Sequence, residues 1–333
     1  MFPYEITHLD EELNAELMKD FKGERNGYVQ VGPKKWFFPA AYAEHADNFY
    51  NFPVKEDDVW VITYPRSGTT LTQELVWLIA NNLDYETAGN VPMDERFPFL
   101  EYIIFHDERF HAEVREINNN HPEVERKLAL WRKPVYDWDI PSPRLFKTHL
   151  PLSLLPPDLP NKCKVIYVAR NPKDVAVSYY HHNRLLKFFD YQGDFEKYWH
   201  YFQNDLLTYS PFWEHIKEGW EVKNKENVLF LFYEELSKNM PDCIRKVSNF
   251  LGKTLNDEEI NRLNNHLRID NFRGAVRLPH DVKGLKNTRE QGFIRKGKVG
   301  SNEEYTGILK ERASEWIKEH STILPSNFSL IQV

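Results

Sequence analysis

The stretch from 63 to 70 reads Thr-Tyr-Pro-Arg-Ser-Gly-Thr-Thr and combines a fixed positive charge with a glycine and paired threonines. A short apolar run at 59–62 precedes it and apolar residues at helical spacing follow it, so we expect a strand, a tight loop and a helix N-terminus. Backbone N–H groups and the positive end of the helix dipole then point at one place, where an anion binds. The stretch does not fit the Walker A pattern. An ordinary strand-to-helix turn with an exposed Arg66 is the alternative.

A second candidate for anion binding follows another apolar run and begins at Arg170. Asn171 suits the N-cap of a helix and Pro172 suits its first turn, so we expect a helix to start there. Arg170 would then lie at the end of a strand, and Ser178 would lie about two helical turns further on. The two side chains are expected to reach one phosphate. A simple helix cap with a surface Arg and Ser is the alternative.

The third candidate is Phe-Ile-Arg-Lys-Gly at 293–297, in which the basic pair Arg295 and Lys296 stands beside Gly297 in a glycine-rich stretch. Two adjacent cations and a glycine can fold onto a phosphate with backbone and guanidinium donors. A solvated basic loop is the alternative here.

Lys147 and His149 offer a different chemistry, because a histidine titrates near neutral pH. Both lie where a predicted strand at 144–147 ends, and a histidine in that place is suited to act as a general base. The chain has 13 histidines, so a histidine without a catalytic role is the alternative.

These side chains need a scaffold that brings them together. Continuous apolar runs at 59–62, 144–147, 164–169 and 228–232 are typical of strands that are buried on both faces of a parallel sheet. Helical patterns lie between the runs, so the sequence predicts an α/β fold with a doubly wound, mainly parallel sheet. Ligands bind at the carboxyl ends of the strands in such sheets, and the candidate residues follow those ends.

Composition narrows the classes of function. The formal charge is −7 and the isoelectric point is near 6.0, which argues against a general nucleic-acid-binding protein. Two distant cysteines, Cys163 and Cys243, provide neither a disulfide framework nor a zinc motif, and no other metal-binding cluster is apparent. No signal peptide or membrane-spanning stretch is apparent either. We therefore expect a cytoplasmic protein without a metal and without a membrane or nucleic-acid partner.

The chain has no internal repeat and no low-complexity linker, which favours one globular domain. Within it, we expect residues 1–57 to form an N-terminal extension packed on a core of residues 58–333. The connection from 84 to 143 is long and rich in aromatic residues, and connections of this length usually carry helices or a function.

Five stretches resemble motifs of the cytosolic sulfotransferases and occur in that family's order between about Trp60 and Gly300. They are the 5′-phosphosulfate loop at 63–70, the catalytic segment Pro-Ser-Pro-Arg and Lys-Thr-His-Leu-Pro within 141–151, the 3′-phosphate segment Arg-Asn-Pro-Lys-Asp-Val-Ala-Val-Ser-Tyr-Tyr-His at 170–181, Leu-Phe-Tyr-Glu-Glu-Leu at 231–236, and Arg-Lys-Gly at 295–297. Five motifs in order are highly specific. The chain is therefore identified as resembling this family, with a single α/β domain and a P-loop-like loop that binds the phosphosulfate.

The resemblance implies the cosubstrate 3′-phosphoadenosine 5′-phosphosulfate (PAPS), whose product is adenosine 3′,5′-bisphosphate (PAP). It implies that Arg66 and the backbone amides of 66–70 hold the 5′-phosphosulfate and that Tyr233 contacts the adenine. His149 would remove the proton of the acceptor, and Lys147 would stabilise charge at the sulfuryl group. The other implied nucleotide-binding residues are Ser67, Gly68, Thr69, Thr70, Leu71 and Phe272, together with Arg170, Ser178, Arg295, Lys296 and Gly297 at the 3′-phosphate.

Some positions depart from the family pattern. Arg66 replaces the loop Lys, Leu71 replaces a Trp that would stack on adenine, and Phe272 follows Asp-Asn where the family often has Thr-Ser. Residues 301–308 do not preserve the family's dimerisation motif, so the sequence leaves the oligomeric state open. The N-terminal part and the segment between Thr70 and Lys147 are longer than in vertebrate members, as they are in insect relatives.

The sequence thus predicts a PAPS-dependent sulfotransferase that acts on a hydroxyl of a small apolar acceptor such as a phenol, alcohol, steroid or retinoid, in metabolism or detoxification. Aromatic residues at 97–102 and 131–138 suit an apolar pocket. One alternative is sulfonation followed by elimination, which is a net dehydration. Others are a non-catalytic nucleotide-binding protein of the same fold and a nucleotide kinase, although a Walker Lys-Ser/Thr pair is missing.

Overall fold

The computed structural model describes residues 1–276, 282–290, 292–294, 297, 299–300, 303–325 and 328. The strands are β1 Ile6–His8, β2 Tyr28–Val31, β3 Trp36–Pro39, β4 Val59–Thr63, β5 Leu145–Thr148, β6 Lys164–Ala169 and β7 Val228–Phe232. The helices are α1 Glu11–Asp20, α2 Tyr42–Tyr50, α3 Thr69–Ala80, α4 Tyr85–Asn90, α5 Met93–Arg96, α6 Glu108–Ile117, α7 Pro122–Arg132, α8 Leu159–Lys162, α9 Pro172–Leu185, α10 Phe195–Gln203, α11 Phe212–Glu221, α12 Tyr233–Lys238, α13 Met240–Phe250, α14 Asp257–Leu267, α15 Ile269–Ala275 and α16 Ile308–His320. The four strands that the sequence predicted are therefore confirmed, each within two residues.

The central sheet consists of four parallel strands in the order β5-β4-β6-β7. From β4 the chain crosses to β5 on one side, and from β5 it returns to β6 on the other side of β4. This reversal makes the carboxyl ends of β4 and β6 a topological switch point, where a crevice opens in sheets of this kind. The predicted α/β fold is confirmed.

Alternate residues of the strands pack into two separate clusters, one on each face of the sheet. Trp60 and Ile62 of β4 face α9 and the aromatic part of the core. Val59 and Val61 face α3, α13 and α14. Both faces of β4 are thus covered by helices, which is why its residues form one continuous apolar run.

The N-terminal residues form a small antiparallel sheet in the order β1-β2-β3. Its β3 is joined to a loop of the main fold, because the N–H of Tyr209 donates to the carbonyl of Phe37 at 2.8 Å and the N–H of Phe37 donates to Ser210 at 2.9 Å. Phe37 and Phe38 belong to the same hydrophobic cluster as Trp60. The division of the chain at residue 57 stays a prediction.

The long connection between α3 and β5 carries helices α4 to α7, and one part of it lies beside the sheet. The N–H of Lys147 donates to the carbonyl of Pro98 at 2.9 Å, and the N–H of Leu100 donates to that of Lys147 at 3.0 Å. Residues 98–100 therefore pair with β5 on the side opposite β4. Among the helices of the described residues, none is both long and apolar enough to cross a membrane.

Candidate active site

The loop between β4 and α3 has a backbone that a side chain at Gly68 would disturb. Gly68 has a φ of 100°, and a Cβ atom there would lie 2.5 Å from the ring of Tyr233. The α3 helix begins at the next residue, Thr69, so the unpaired N–H groups of its first turn lie directly after this close approach. Such a helix N-terminus attracts an anion.

Arg66 connects this loop with two other parts of the chain. Its Nε donates to the hydroxyl of Ser178 at 3.1 Å, and its Nη2 donates to the carbonyl of Phe293 at 2.9 Å. The guanidinium carbon lies 4.8 Å from the centroid of the Phe293 ring. The loop cation and the predicted 3′-phosphate residue Ser178 are therefore in direct contact.

Arg170, at the end of β6, lies between the loop and the end of β7. Its Nη1 donates to the carbonyl of Arg66 at 2.9 Å, and its guanidinium carbon lies 4.1 Å from the centroid of the Tyr233 ring. The predicted helix start is confirmed, because α9 begins at Pro172 and the side chain of Asn171 accepts the N–H of Lys173 at 2.9 Å. Three strand ends thus gather two guanidinium groups and two helix N-termini around one site.

The ring of His149 is oriented by the end of β4. Its Nδ1 lies 2.8 Å from the carbonyl oxygen of Thr63 and 3.1 Å from that residue's hydroxyl. Because a carbonyl oxygen only accepts, Nδ1 carries the proton and Nε2 has a lone pair. Burial, and to a lesser degree the charge of Lys147, hold the pKa of His149 well below its usual range. The imidazole is therefore a neutral base at physiological pH.

Lys147 lies close to the histidine and against an aromatic ring. Its Nζ is 4.1 Å from the centroid of Phe99, and burial lowers its pKa to about 8. The neighbouring carboxylate of Glu101 opposes this effect of burial. A lysine with such a pKa is still mainly protonated at neutral pH and can stabilise negative charge that develops in a reaction.

One continuous cavity of about 450 Å³ contains these groups. Its polar part is lined by Arg66, Gly68, Thr69, Thr70, Leu71, Arg170, Ser178, Tyr233, Phe272 and Gly297. Its aromatic part is lined by Phe99, Tyr102, Phe105, Phe188, Phe189 and Tyr209. His149 joins the two parts, because it contacts Thr63 beside Thr69 and its ring centroid lies 5.2 Å from that of Phe99.

Comparison with known proteins decides the family. A family model described as the sulfotransferase domain matches residues 56–324. This chain belongs to the sulfotransferase family. The luciferin sulfotransferase of Photinus pyralis is 34% identical to it over 307 residues, which cover 88% of this chain and 80% of that protein. Human sulfotransferase 4A1 is 37% identical over 232 residues, which cover 69% of this chain and 72% of the human protein. The predicted resemblance is confirmed, and the protein is a sulfotransferase enzyme.

Solved structures of retinol dehydratase are similar to this sulfotransferase over nearly the whole chain. A complex with retinol and PAP has a TM-score of 0.88 at 37% identity and covers 96% of this chain and 97% of its own. A complex with androsterone and PAP has a TM-score of 0.87 at 38% identity and covers 96% of both chains. The nucleotide in both complexes is the predicted product of PAPS.

The structure brings most of the predicted site residues of the sulfotransferase into the one cavity. Lys147, His149 and the residues of its polar part all line it. Ser67 is fully buried and is not among the residues that line it, so its predicted contact with the phosphosulfate stays a prediction. Arg295 and Lys296 lie outside the described residues. The individual roles of these residues stay predictions.

Four residues next to the reacting groups were not predicted from the sequence as part of the site. They are Thr63, which orients His149, Glu101, which accepts its backbone N–H, Phe293, which covers Arg66, and Tyr209, which lies in the aromatic part. Thr63 is the first residue of the predicted loop at 63–70, so its position gave a signal. Glu101 and Phe293 lie in segments that the sequence singled out, at 97–102 and 293–297, but their contacts with His149 and Arg66 become recognisable only from the fold, as does the place of Tyr209. Within the described residues, no group of three or more His, Cys, Asp or Glu side chains is arranged to hold a metal ion.

Proposed function

We propose that this sulfotransferase moves the sulfuryl group of PAPS to a hydroxyl of a small apolar acceptor, with His149 as the general base. The observation that carries the proposal is the hydrogen bond from His149 Nδ1 to the carbonyl of Thr63. It leaves the lone pair of Nε2 for an acceptor proton, in a cavity that has a cationic part on one side and an aromatic part on the other.

The residues at the polar part fit the nucleotide. Two guanidinium groups, Arg66 and Arg170, and the N-termini of α3 and α9 provide positive charge for the phosphates, and they do so without a lysine in the loop. The rings of Tyr233 and Phe272 line the same cavity and suit contact with adenine. These two rings can therefore provide the aromatic contact with adenine that Leu71 does not provide. We therefore propose PAPS as the cosubstrate.

PAPS supplies a sulfuryl group that is bonded to a phosphate leaving group. As the acceptor oxygen forms its bond to sulfur, His149 Nε2 takes the hydroxyl proton. The bond between sulfur and the 5′-phosphate oxygen breaks, and that oxygen keeps the electron pair. Lys147 and Arg66 stabilise the negative charge of the transferring group and of the leaving phosphate. Positioning and electrostatics thus do most of what the reaction requires of the protein.

The acceptor is proposed to be apolar and at least partly planar. Six aromatic residues line its part of the cavity, and three of them form a packed group, because the ring centroid of Phe105 lies 5.3 Å from that of Phe188 and 5.2 Å from that of Phe189. Aromatic walls of this kind favour flat hydrophobic ligands that carry few polar groups.

A transfer assay tests this proposal. The purified protein is incubated with labelled PAPS and a panel of phenols, alcohols, steroids and retinoids, and labelled acceptor is measured. We expect transfer to at least one apolar hydroxyl compound and loss of that transfer in His149→Ala. Tight binding of PAP without transfer to any member of the panel would instead favour a non-catalytic nucleotide-binding protein.

A net dehydration is the second candidate, and the similarity to retinol dehydratase over 96% of the chain favours it. In this version the sulfonated product loses sulfate and a proton and gains a carbon–carbon double bond. Mass spectrometry of the product distinguishes the two, because a released sulfate ester and a dehydrated acceptor differ in mass. Labelled inorganic sulfate that appears in step with acceptor loss would identify the elimination.

The cytoplasm is the proposed location of the enzyme. Cys163 and Cys243 are both buried free thiols, which suits a reducing compartment. We propose that the only partner needed for the reaction besides PAPS is the small-molecule acceptor.

The oligomeric state can be measured by light scattering.

A further inference from the structure

Glu101 is a fully buried carboxylate that lies next to the catalytic segment but belongs to the connection between α3 and β5. It directly follows residues 98–100, which pair with β5 through Lys147. The pairing stops at Leu100, and the side chain of Glu101 continues the contact past the end of the strand. Buried carboxylates are rare unless their oxygens are hydrogen-bonded, so this one requires an explanation.

Both oxygens of Glu101 accept hydrogen bonds from the residues at the end of β5. Oε1 accepts the backbone N–H of His149 at 2.6 Å, and Oε2 accepts the hydroxyl of Thr148 at 2.7 Å. The same hydroxyl oxygen accepts the N–H of Leu150 at 3.0 Å. The carboxylate thus holds Thr148 and His149 directly, and Leu150 through the hydroxyl of Thr148, at the point where the strand ends and its regular backbone pairing no longer holds them.

His149 is held from three directions, and Glu101 provides one of them. The ring is held by the carbonyl of Thr63 at 2.8 Å, and the backbone carbonyl of His149 accepts the Nε2–H of His215 at 2.9 Å. The backbone N–H is held by Glu101. Since the position of the Cα atom and the ring contact together set the direction of Nε2, a displaced N–H would turn the lone pair away from the acceptor.

We propose that Glu101 is a positioning residue for sulfuryl transfer, which acts by holding the backbone of His149 and not by touching the substrate. The proposal rests on the proposed function, in which His149 is the base. It makes the connection between α3 and β5 part of the catalytic apparatus, because the side chain that fixes the base comes from this connection. Displacements of about 1 Å at a reacting group can lower rates strongly, so turnover is expected to depend on this contact.

The variant Glu101→Gln keeps the size of the side chain but has one acceptor oxygen where the carboxylate has two. One of the two donors, the N–H of His149 or the hydroxyl of Thr148, then loses its acceptor. We expect kcat to fall by about tenfold to a hundredfold while KM for PAPS changes by less than about threefold, because the nucleotide part of the cavity is untouched. Glu101→Asp, which retains both oxygens on a shorter side chain, is expected to recover part of kcat.

Glu218→Gln is the matched control. Glu218 is also buried and also accepts a backbone N–H, that of Ser153 at 2.9 Å, together with Lys34 at 2.8 Å, and it does not line the cavity. We expect its kcat to stay within about twofold of wild type.

A double-mutant cycle of Glu101→Gln and His149→Ala decides the proposal. If Glu101 acts through His149, Glu101→Gln lowers kcat in the wild-type background and has little further effect in His149→Ala. Equal fold-losses in both backgrounds, or an unchanged kcat in Glu101→Gln, would overturn the positioning role and leave the proposed function intact. Wild-type-like activity of His149→Ala would overturn both. Should Glu101→Gln fail to fold, as judged by thermal melting with PAP, Glu101→Asp takes its place in the cycle.

Discussion

The Nδ1 atom of His149 lies 2.8 Å from the carbonyl oxygen of Thr63, so the base that directly follows β5 is oriented by the last residue of the neighbouring strand β4. The hydroxyl of Thr63 in turn lies 2.7 Å from that of Thr69, the first residue of α3. The general base and the phosphosulfate loop therefore share a structural connection. Because the contact with His149 is made by the backbone carbonyl of Thr63, a mutation of the Thr63 side chain leaves that contact in place, whereas it removes the contact with Thr69.

The first prediction concerns this base. His149→Ala should lower turnover by about 10²–10⁴-fold, because general base catalysis typically contributes that much, while binding of PAP survives. Labelled transfer and a thermal shift with PAP measure the two effects. His45→Ala is the control, since His45 is half-buried on α2 and bonded to Tyr136 outside the cavity. Activity within a few-fold of wild type in His149→Ala would remove this residue from the mechanism.

The second prediction concerns selection of the nucleotide. PAP should raise the melting temperature far more than AMP at equal concentration, because Arg170 and Ser178, with Arg295 and Lys296, are predicted to bind the 3′-phosphate. A hydrogen bond to a charged group contributes about 1.5–3 kcal/mol, and binding to the folded state alone stabilises it. Ser178→Ala should reduce the difference between PAP and AMP. Equal shifts for both nucleotides would contradict the assignment.

Part of the site was predictable because its residues follow strand ends. Arg170 comes directly after an apolar run and Arg66 a few residues after another, and parallel strands that lie side by side bring their carboxyl ends to one edge of the sheet. Local signals sufficed for this, namely a glycine that needs a positive φ and an Asn-Pro pair that begins a helix. The resemblance to a family supplied the chemical roles.

The rest depended on pairing between distant segments. Glu101 meets His149 only because residues 98–100 pair with β5, and nothing in the local sequence of either segment specifies that pairing. Phe293 meets Arg66 across 227 positions of the chain. The hydrogen-bond partner of His149 Nδ1 is a backbone carbonyl. Because every residue has a carbonyl group, sequence patterns do not indicate which one accepts this hydrogen bond.

The third prediction concerns the connection at 84–143, which we expect to act as a lid over the acceptor. Its Tyr102 and Phe105 line the aromatic part of the cavity, and Phe105 packs on Phe188 after α9. Hydrogen exchange of this segment should slow when PAP and an acceptor bind together, since closed lids exclude water. Protection near Arg66 without any change at 84–143 would show that this segment is a surface elaboration.

The fourth prediction concerns the dependence of activity on pH. Burial lowers the pKa of Lys147 to about 8, so kcat/KM for PAPS, which reports the free enzyme, should fall as pH rises through about 8. Burial holds the pKa of His149 well below its usual range, so the fall of kcat/KM on the acid side should lie below the range that is usual for a histidine. The guanidinium group that Lys147→Arg introduces stays protonated in this range, so the fall of kcat/KM above pH 8 should disappear in this variant. If kcat/KM still falls near pH 8 in this variant, the fall is caused by the titration of a group other than Lys147.

The last prediction concerns the stability of the fold. The ionised side chain of Glu101 is proposed to support turnover, but it is expected to lower the free energy of unfolding. Burial raises its pKa from 4.5 to about 7, so the folded state binds more protons than the unfolded state between these values. The free energy of unfolding therefore loses a contribution on the order of 3 kcal/mol as pH rises from 4.5 to 7. Glu101→Gln should abolish this loss and, relative to wild type, be more stable at pH 8 than at pH 5, as measured by urea unfolding. Glu24→Gln, at a carboxyl that does not line the cavity and whose pKa is also raised to about 7, should show the same change in stability.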